Sequence, residues 1–262
     1  MFKRVLTSVL GLPIVFFVVG HAGWFLVAAT AIIATVGQFE LYRALSKRVG
    51  SAHFMMMALS LAFMILLPML YAGQLLIFLL LAMLISLSSL TFKNFKPQDA
   101  LGLILGFFYI TLFMSALYFT RGMDDGLQLM SMVFIISWGC DTGAYFAGKS
   151  LGKRKLNERL SPTKTVEGSI GGALSAMLLS AVFVLITNGF GFAELNMLPY
   201  IILGLIGAIA AQVGDLAASS LKRAVGIKDY GGFFPGHGGV LDRFDSVLFV
   251  SPVVYIFATI IF

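Results

Sequence analysis

Between Ser219 and Asp245 the chain reads SSLKRAVGIKDYGGFFPGHGGVLDRFD, a stretch in which Lys222, Arg223, Lys228 and Arg243 alternate with Asp229, Asp242 and Asp245. Gly226, Gly231, Gly232, Gly236, Gly238 and Gly239 crowd around His237. Lysine and arginine neutralise phosphate charge. Glycine lets a backbone approach phosphate oxygens and aim its N–H groups at them. Aspartates hold Mg²⁺, which takes one or two carboxylates together with substrate phosphates. Asp242 and Asp245 are three residues apart and share a face if the segment is helical. His237 reads equally as a structural residue of the loop and as a hydrogen-bond donor to a phosphate or a leaving group. A solvated basic loop would explain the cations, but not the glycines and histidine packed between two acid-bearing segments.

Three further constellations point the same way. Asp141 lies in SWGCDTGAYFAGK, inside an apolar run, where an ionisable residue is costly and usually functional. Gly139, Gly143 and Gly148 thin the same run and allow another helix or a ligand to come close. SPTKTVEG, from Ser161 to Gly168, sets Ser161, Lys164 and Thr165 just before a predicted helix, a ready place for an anion. Thr165 also reads as an ordinary helix cap, and the sequence does not decide between the two. Asp215, Ser219 and Lys222 follow a helical spacing and line one face leading into the glycine-rich stretch. Asp215, Asp242 and Asp245 are therefore the candidate metal ligands. Asp141 is expected near them in the substrate-binding site, and Lys222, Arg223, Lys228 and Arg243 serve the phosphates, with Gly238 and Gly239 allowing close backbone approach.

These residues must be positioned by membrane helices. The 262 residues are 59% hydrophobic and only 11% charged, against roughly 25% charged in soluble domains. Continuous apolar runs, each near the ~20 residues a spanning helix needs, recur from end to end and do not alternate as barrel strands do. We read nine spans: 5–20, 24–45, 52–72, 75–92, 100–120, 127–148, 166–190, 195–221 and 240–262. The first is read as an uncleaved span rather than a signal peptide. With the N-terminus in the cytoplasm, 17 of the 18 lysines and arginines fall on the cytoplasmic side, and only Arg121 does not, as the positive-inside rule asks. This topology accounts for the net charge of +6 without nucleic acid as a partner. A single cysteine, Cys140, excludes a disulfide within the chain and reads as packing. Residues 1–125 read as a scaffold of helices and 126–262 as the part bearing the catalytic motifs.

The spacing of Ser219, Lys222-Arg223, Lys228-Asp229, Gly231, Pro235, His237-Gly238-Gly239, Asp242-Arg243 and Asp245 resembles the signature of the phosphatidate cytidylyltransferases, or CDP-diacylglycerol synthases. Asp141-Thr142-Gly143-Ala144-Tyr145-Phe146 and SPTKTVEG are similar to bacterial members, although Thr163 stands where a lysine is expected. The resemblance implies an all-α polytopic enzyme, Mg²⁺-dependent and homodimeric, in the bacterial cytoplasmic (inner) membrane, using CTP and phosphatidate at the cytoplasmic face. A second, monovalent cation such as K⁺ is left open. The alternatives are a nucleotidyltransferase acting on another lipid phosphate, and an ion-coupled transporter with Asp141 and Asp215 as its ion sites. The missing internal repeat speaks against the transporter.

Overall fold

Continuous apolar runs fold as helices because hydrocarbon offers no partner to a backbone N–H or C=O, and a helix satisfies both internally. The computed structural model describes residues 2–46, 49–93, 95–157, 160–233 and 238–261. His237 lies outside the described residues, as do Pro235 and Gly236 of the same stretch and the basic residues Lys47, Arg48 and Arg159. The elements are α1 (Phe2–His21), α2 (Gly23–Leu45), α3 (Ser51–Leu66), α4 (Ala72–Ser89), α5 (Pro97–Gly106), α6 (Phe113–Arg121), α7 (Gly126–Leu151), α8 (Val166–Gly189), α9 (Met197–Ala224) and α10 (Leu241–Ile261). A short 3₁₀ turn, Leu67–Met69, extends α3, and a π-helical segment, Phe107–Leu112, joins α5 to α6. Two short strands, β1 (Lys155–Asn157) and β2 (Ser161–Thr165), form an antiparallel hairpin.

Seven described stretches are long and apolar enough to cross a membrane: Gly23–Leu45, Ser51–Met69, Pro97–Arg121, Gly126–Leu151, Val166–Gly189, Met197–Ala224 and Leu241–Ile261. Gly73–Ser89 is apolar but shorter. Each of the seven overlaps one of the nine runs read from the sequence. The chain is an all-α polytopic membrane protein.

The chain forms two compact units. The first comprises residues 1–118 and 224–244, the second residues 119–223 and 245–262. In the first unit, the Nε2 of buried Gln38 on α2 lies within hydrogen-bond distance of Ser60 Oγ (2.7 Å), Thr111 Oγ1 (2.8 Å) and the Gly106 carbonyl (3.2 Å), sharing its two hydrogens among them. One amide thereby ties α2 to α3 and to the π-helical segment, where the helical ladder is locally interrupted. Next to it Tyr42, Met56, Leu103 and Phe107 form a buried core. At the end of α2, Gly50 N–H donates to His53 Nδ1 (3.1 Å), His53 Nε2 lies 3.0 Å from Ser46 Oγ, and the Ser46 hydroxyl donates to Asp99 Oδ1 (3.1 Å). That chain of donors makes His53 a neutral Nε2–H tautomer and fastens the α2–α3 turn to α5.

In the second unit α7 and α8 meet through glycine. A Cβ at Gly143 would strike the Ser175 side chain and lie 3.0 Å from the Gly171 carbonyl, and one at Gly172 would lie 2.8 Å from the Cys140 carbonyl. Small residues at such a crossing let two backbones approach where the hydrophobic effect gives no drive. The close approach expected at Gly143 is thus made by a helix. Cys140 is fully buried in this contact, consistent with a packing role.

Candidate active site

The hairpin after α7 is built by local chemistry. Glu167, in the first turn of α8, accepts the N–H groups of Lys153 (3.0 Å) and Arg154 (3.2 Å), and the Val166 N–H donates to the Arg154 carbonyl (2.9 Å). The chain is thereby folded back so that β2 runs directly into α8. Thr165 caps α8, its Oγ1 accepting the Gly168 N–H at 3.1 Å. The residue preceding it, Lys164, reaches across to α9 and forms an ion pair with Asp215.

That pair sits in a cavity of about 360 Å³. Its wall carries Asp141, Lys149, Thr163, Lys164, Thr165, Ser169, Gln212 and Asp215, drawn from α7, β2, α8 and α9. Sequence positions as distant as 141 and 215 therefore share one chamber. Thr165 thus caps α8 and also lines the cavity. Lys149 stands at the rim with its Nζ 5.9 Å from the centre of the Tyr145 ring, within range of a cation–π attraction.

On the far side of Asp215, α9 presses against α10. A Cβ at Gly214 would lie 2.7 Å from the Asp245 carbonyl and 2.8 Å from Phe249, so only glycine permits this approach. Asp245 is 8% exposed and accepts the Ser246 N–H at 2.8 Å. Its charge neighbours are Asp215, Asp141 and Lys222. The Ser246 hydroxyl donates to Asp141 Oδ2 at 3.3 Å, which links α10 to α7. Asp141, Asp215, Asp245 and Lys222 are thus gathered in the second unit. Ser161 begins β2 and does not line the cavity, while Arg223, at the end of α9, is exposed. Among the described residues, no three His, Cys, Asp or Glu side chains stand close enough to ligate one ion by themselves. Two carboxylates are enough for Mg²⁺ when substrate phosphates complete the shell, and the hard oxygen donors of Asp215 and Asp245 suit that ion.

In the first unit the glycine-rich stretch is organised by carboxylates. Asp242 Oδ2 accepts the N–H groups of Tyr230 (2.8 Å) and Gly239 (3.0 Å). Gly238 has φ +85°, and a Cβ there would lie 2.9 Å from Asp242 Oδ2. The glycines here make room for acids, and the Gly239 N–H is committed to Asp242. Lys228 and Arg243 are exposed.

Sequence reasoning missed Ser169 and Gln212 as lining residues. Their roles come from a mutual pair, in which the Ser169 hydroxyl donates to Gln212 Oε1 and Gln212 Nε2 donates to the Ser169 carbonyl (3.1 Å). It also missed Glu40, whose carboxylate accepts the N–H groups of Val240 (3.0 Å) and Leu241 (2.9 Å). The available signal was an acid inside an apolar span, the same one that singled out Asp141 and Asp215.

The sequence matches the profile described as the Cytidylyltransferase family over residues 2–261. A phosphatidate cytidylyltransferase of Bacillus subtilis (strain 168) is 37% identical over 265 residues, covering 97% of this chain and 96% of that protein. Proteins of the same name from Staphylococcus aureus (strain COL) and Staphylococcus haemolyticus are 39% and 38% identical, each match covering 66% of this chain and 64% of theirs. Nothing in this similarity supports an ion-coupled transporter. A family-profile match spanning nearly every residue, together with a relative 37% identical over 97% of the chain, shows that the chain belongs to the cytidylyltransferase family.

Proposed function

We propose that the protein transfers CMP from CTP to phosphatidate, giving CDP-diacylglycerol and pyrophosphate at the cytoplasmic face of a bacterial inner membrane. The observation that carries the reading is the cavity holding Lys164, Asp215 and Asp141, beside Asp245, within a chain of this family. A phosphate oxygen of phosphatidate attacks the α-phosphorus of CTP. The new P–O bond forms as the bond to the pyrophosphate oxygen breaks. Phosphatidate is already an anion, so the difficulty is bringing two anions together, and such transfers rest on positioning and charge neutralisation.

Lys164 is the group best placed to take a nucleotide phosphate, exchanging its Asp215 partner for the incoming anion. Thr165 adjoins it in the cavity wall, and Ser161 begins the same strand, β2. Lys222, Arg223, Lys228 and Arg243 supply further positive charge for the phosphates, and His237 a hydrogen bond to the leaving group. Asp215 and Asp245 would hold Mg²⁺, whereas Asp242, the third candidate ligand from the sequence, has one oxygen already accepting the Tyr230 and Gly239 N–H groups. The ion, when bound, neutralises charge on the phosphates. The seven long apolar helices support location in a membrane, and the distribution of lysine and arginine supports the cytoplasmic placement of the site. Assembly as a homodimer follows from the family resemblance.

The deciding experiment uses purified protein in detergent micelles with CTP, phosphatidate and MgCl₂. Formation of CDP-diacylglycerol and pyrophosphate in equal amounts, lost on chelation by EDTA, is the expected result. Release of pyrophosphate without the lipid product, or preference for another lipid phosphate, would overturn the assignment of the acceptor.

A further inference from the structure

Glu40 stands on α2 inside an apolar run and is 5% exposed. Both carboxylate oxygens are used by the backbone 200 residues further on: Val240 N–H donates to Oε1 and Leu241 N–H to Oε2. These N–H groups belong to the start of α10, where the first turn of a helix has no internal partners and the helix dipole favours a negative charge. Gly231 and Gly239 both lie against the same carboxylate. A Cβ at Gly239 would sit 2.5 Å from each Glu40 oxygen. Leu241 also packs towards Gly37, one turn before Glu40 on α2. Immediately beyond this anchor, Asp242 clamps the loop by accepting from Tyr230 and Gly239. Three consecutive N–H groups, those of Gly239, Val240 and Leu241, are therefore held by two carboxylates.

We propose that Glu40 is a positioning residue for the transfer reaction: from α2 it holds the first turn of α10 and the glycine loop before it, and thereby sets where Asp242 and Arg243 are presented. The inference rests on the cytidylyl-transfer reading above. It assigns Glu40 no contact with substrate, because both of its oxygens are committed. It also accounts for glycine at 231 and 239, where a side chain would expel the carboxylate.

The test is steady-state kinetics on the full-length protein in detergent. Glu40→Gln preserves volume but turns an NH₂ group towards one of the two N–H donors. Its kcat is expected to fall by about 30-fold, in the range seen when supporting partners of a site are removed, with KM for CTP and for phosphatidate changed less than about 3-fold. Tyr42→Phe, which removes the 3.1 Å bond from the hydroxyl to the Leu103 carbonyl on α5, controls for general weakening and is expected to leave kcat unchanged. A folded Glu40→Gln protein with wild-type kcat overturns the inference, as does an equal loss in Tyr42→Phe. Should Glu40→Gln fail to fold, Gly239→Ala is compared with Gly239→Ala/Glu40→Asp. The shorter acid makes room for the added methyl, so at least about a 3-fold recovery of kcat supports the inference and no recovery overturns it. A wild-type protein that makes no CDP-diacylglycerol sinks the assigned reaction, whereas an active wild type with an indifferent Glu40→Gln sinks only the present inference.

Discussion

Asp215 and Lys164 form an ion pair in the wall of the cavity, each a little more than a quarter exposed. An ion pair so open to water contributes little to stability, so its interest is chemical. Asp215→Asn is expected to lower kcat/KM by about 100-fold or more, the scale of losing one charged partner of a transition state, with little change in the melting temperature. Lys164→Met removes the cation and leaves Asp215 in place. The expected outcome is a rise in KM for CTP larger than the fall in kcat, which follows if the lysine holds the nucleotide, as proposed, in ground and transition states alike. Initial rates over a CTP titration check both variants.

At the scale of elements, two local contacts decide whether those side chains meet. Gly214 brings α9 against α10 at Asp245. Gly214→Ala must push the helices apart, since the added carbon meets a backbone carbonyl rather than a flexible side chain. Activity is expected to fall at least about 10-fold, while overpacking destabilises by roughly 1–3 kcal/mol. Thermal unfolding in detergent and product formation separate the two effects. Thr165→Ala removes the cap of α8 and is expected to cost about 1 kcal/mol, read as a lower melting temperature. A loss of CTP affinity beyond that destabilisation would reflect the second role of Thr165 in the cavity wall. The hairpin that delivers Lys164 depends on Glu167, which accepts two N–H groups. That acid was legible only as a residue in a first helical turn, because its partners lie 13 and 14 residues upstream in an irregular connection.

At the scale of the whole molecule, the positive-inside distribution predicts that the β1–β2 hairpin and the loop before α10 face the cytoplasm, and that the loop between α8 and α9 faces away. Single cysteines test this in right-side-out vesicles, one introduced as Ser161→Cys on the hairpin and the other as Glu194→Cys on the opposite loop. Only the Glu194→Cys protein should react with an impermeant maleimide before permeabilisation. Native Cys140 is fully buried and gives a low background. Labelling of both positions, or of Ser161→Cys alone, would overturn the predicted orientation.

Much of this protein is written along the chain. Hydropathy alone marks the helices, since lipid leaves an apolar run no other way to satisfy its backbone. Acids in apolar runs, together with lysines, glycines and a histidine at family spacing, mark Asp141, Asp215, Asp242 and Asp245. Tertiary structure decided the partners. Lys164 meets Asp215 because a hairpin folds back onto α9, Asp245 reaches the same neighbourhood because glycine lets α9 and α10 touch, and Glu40 holds a loop 200 residues away. One-dimensional spacing fixes which residues share a helix face, but which faces meet depends on how closely backbones can pack, and that is settled only when all the helices are assembled.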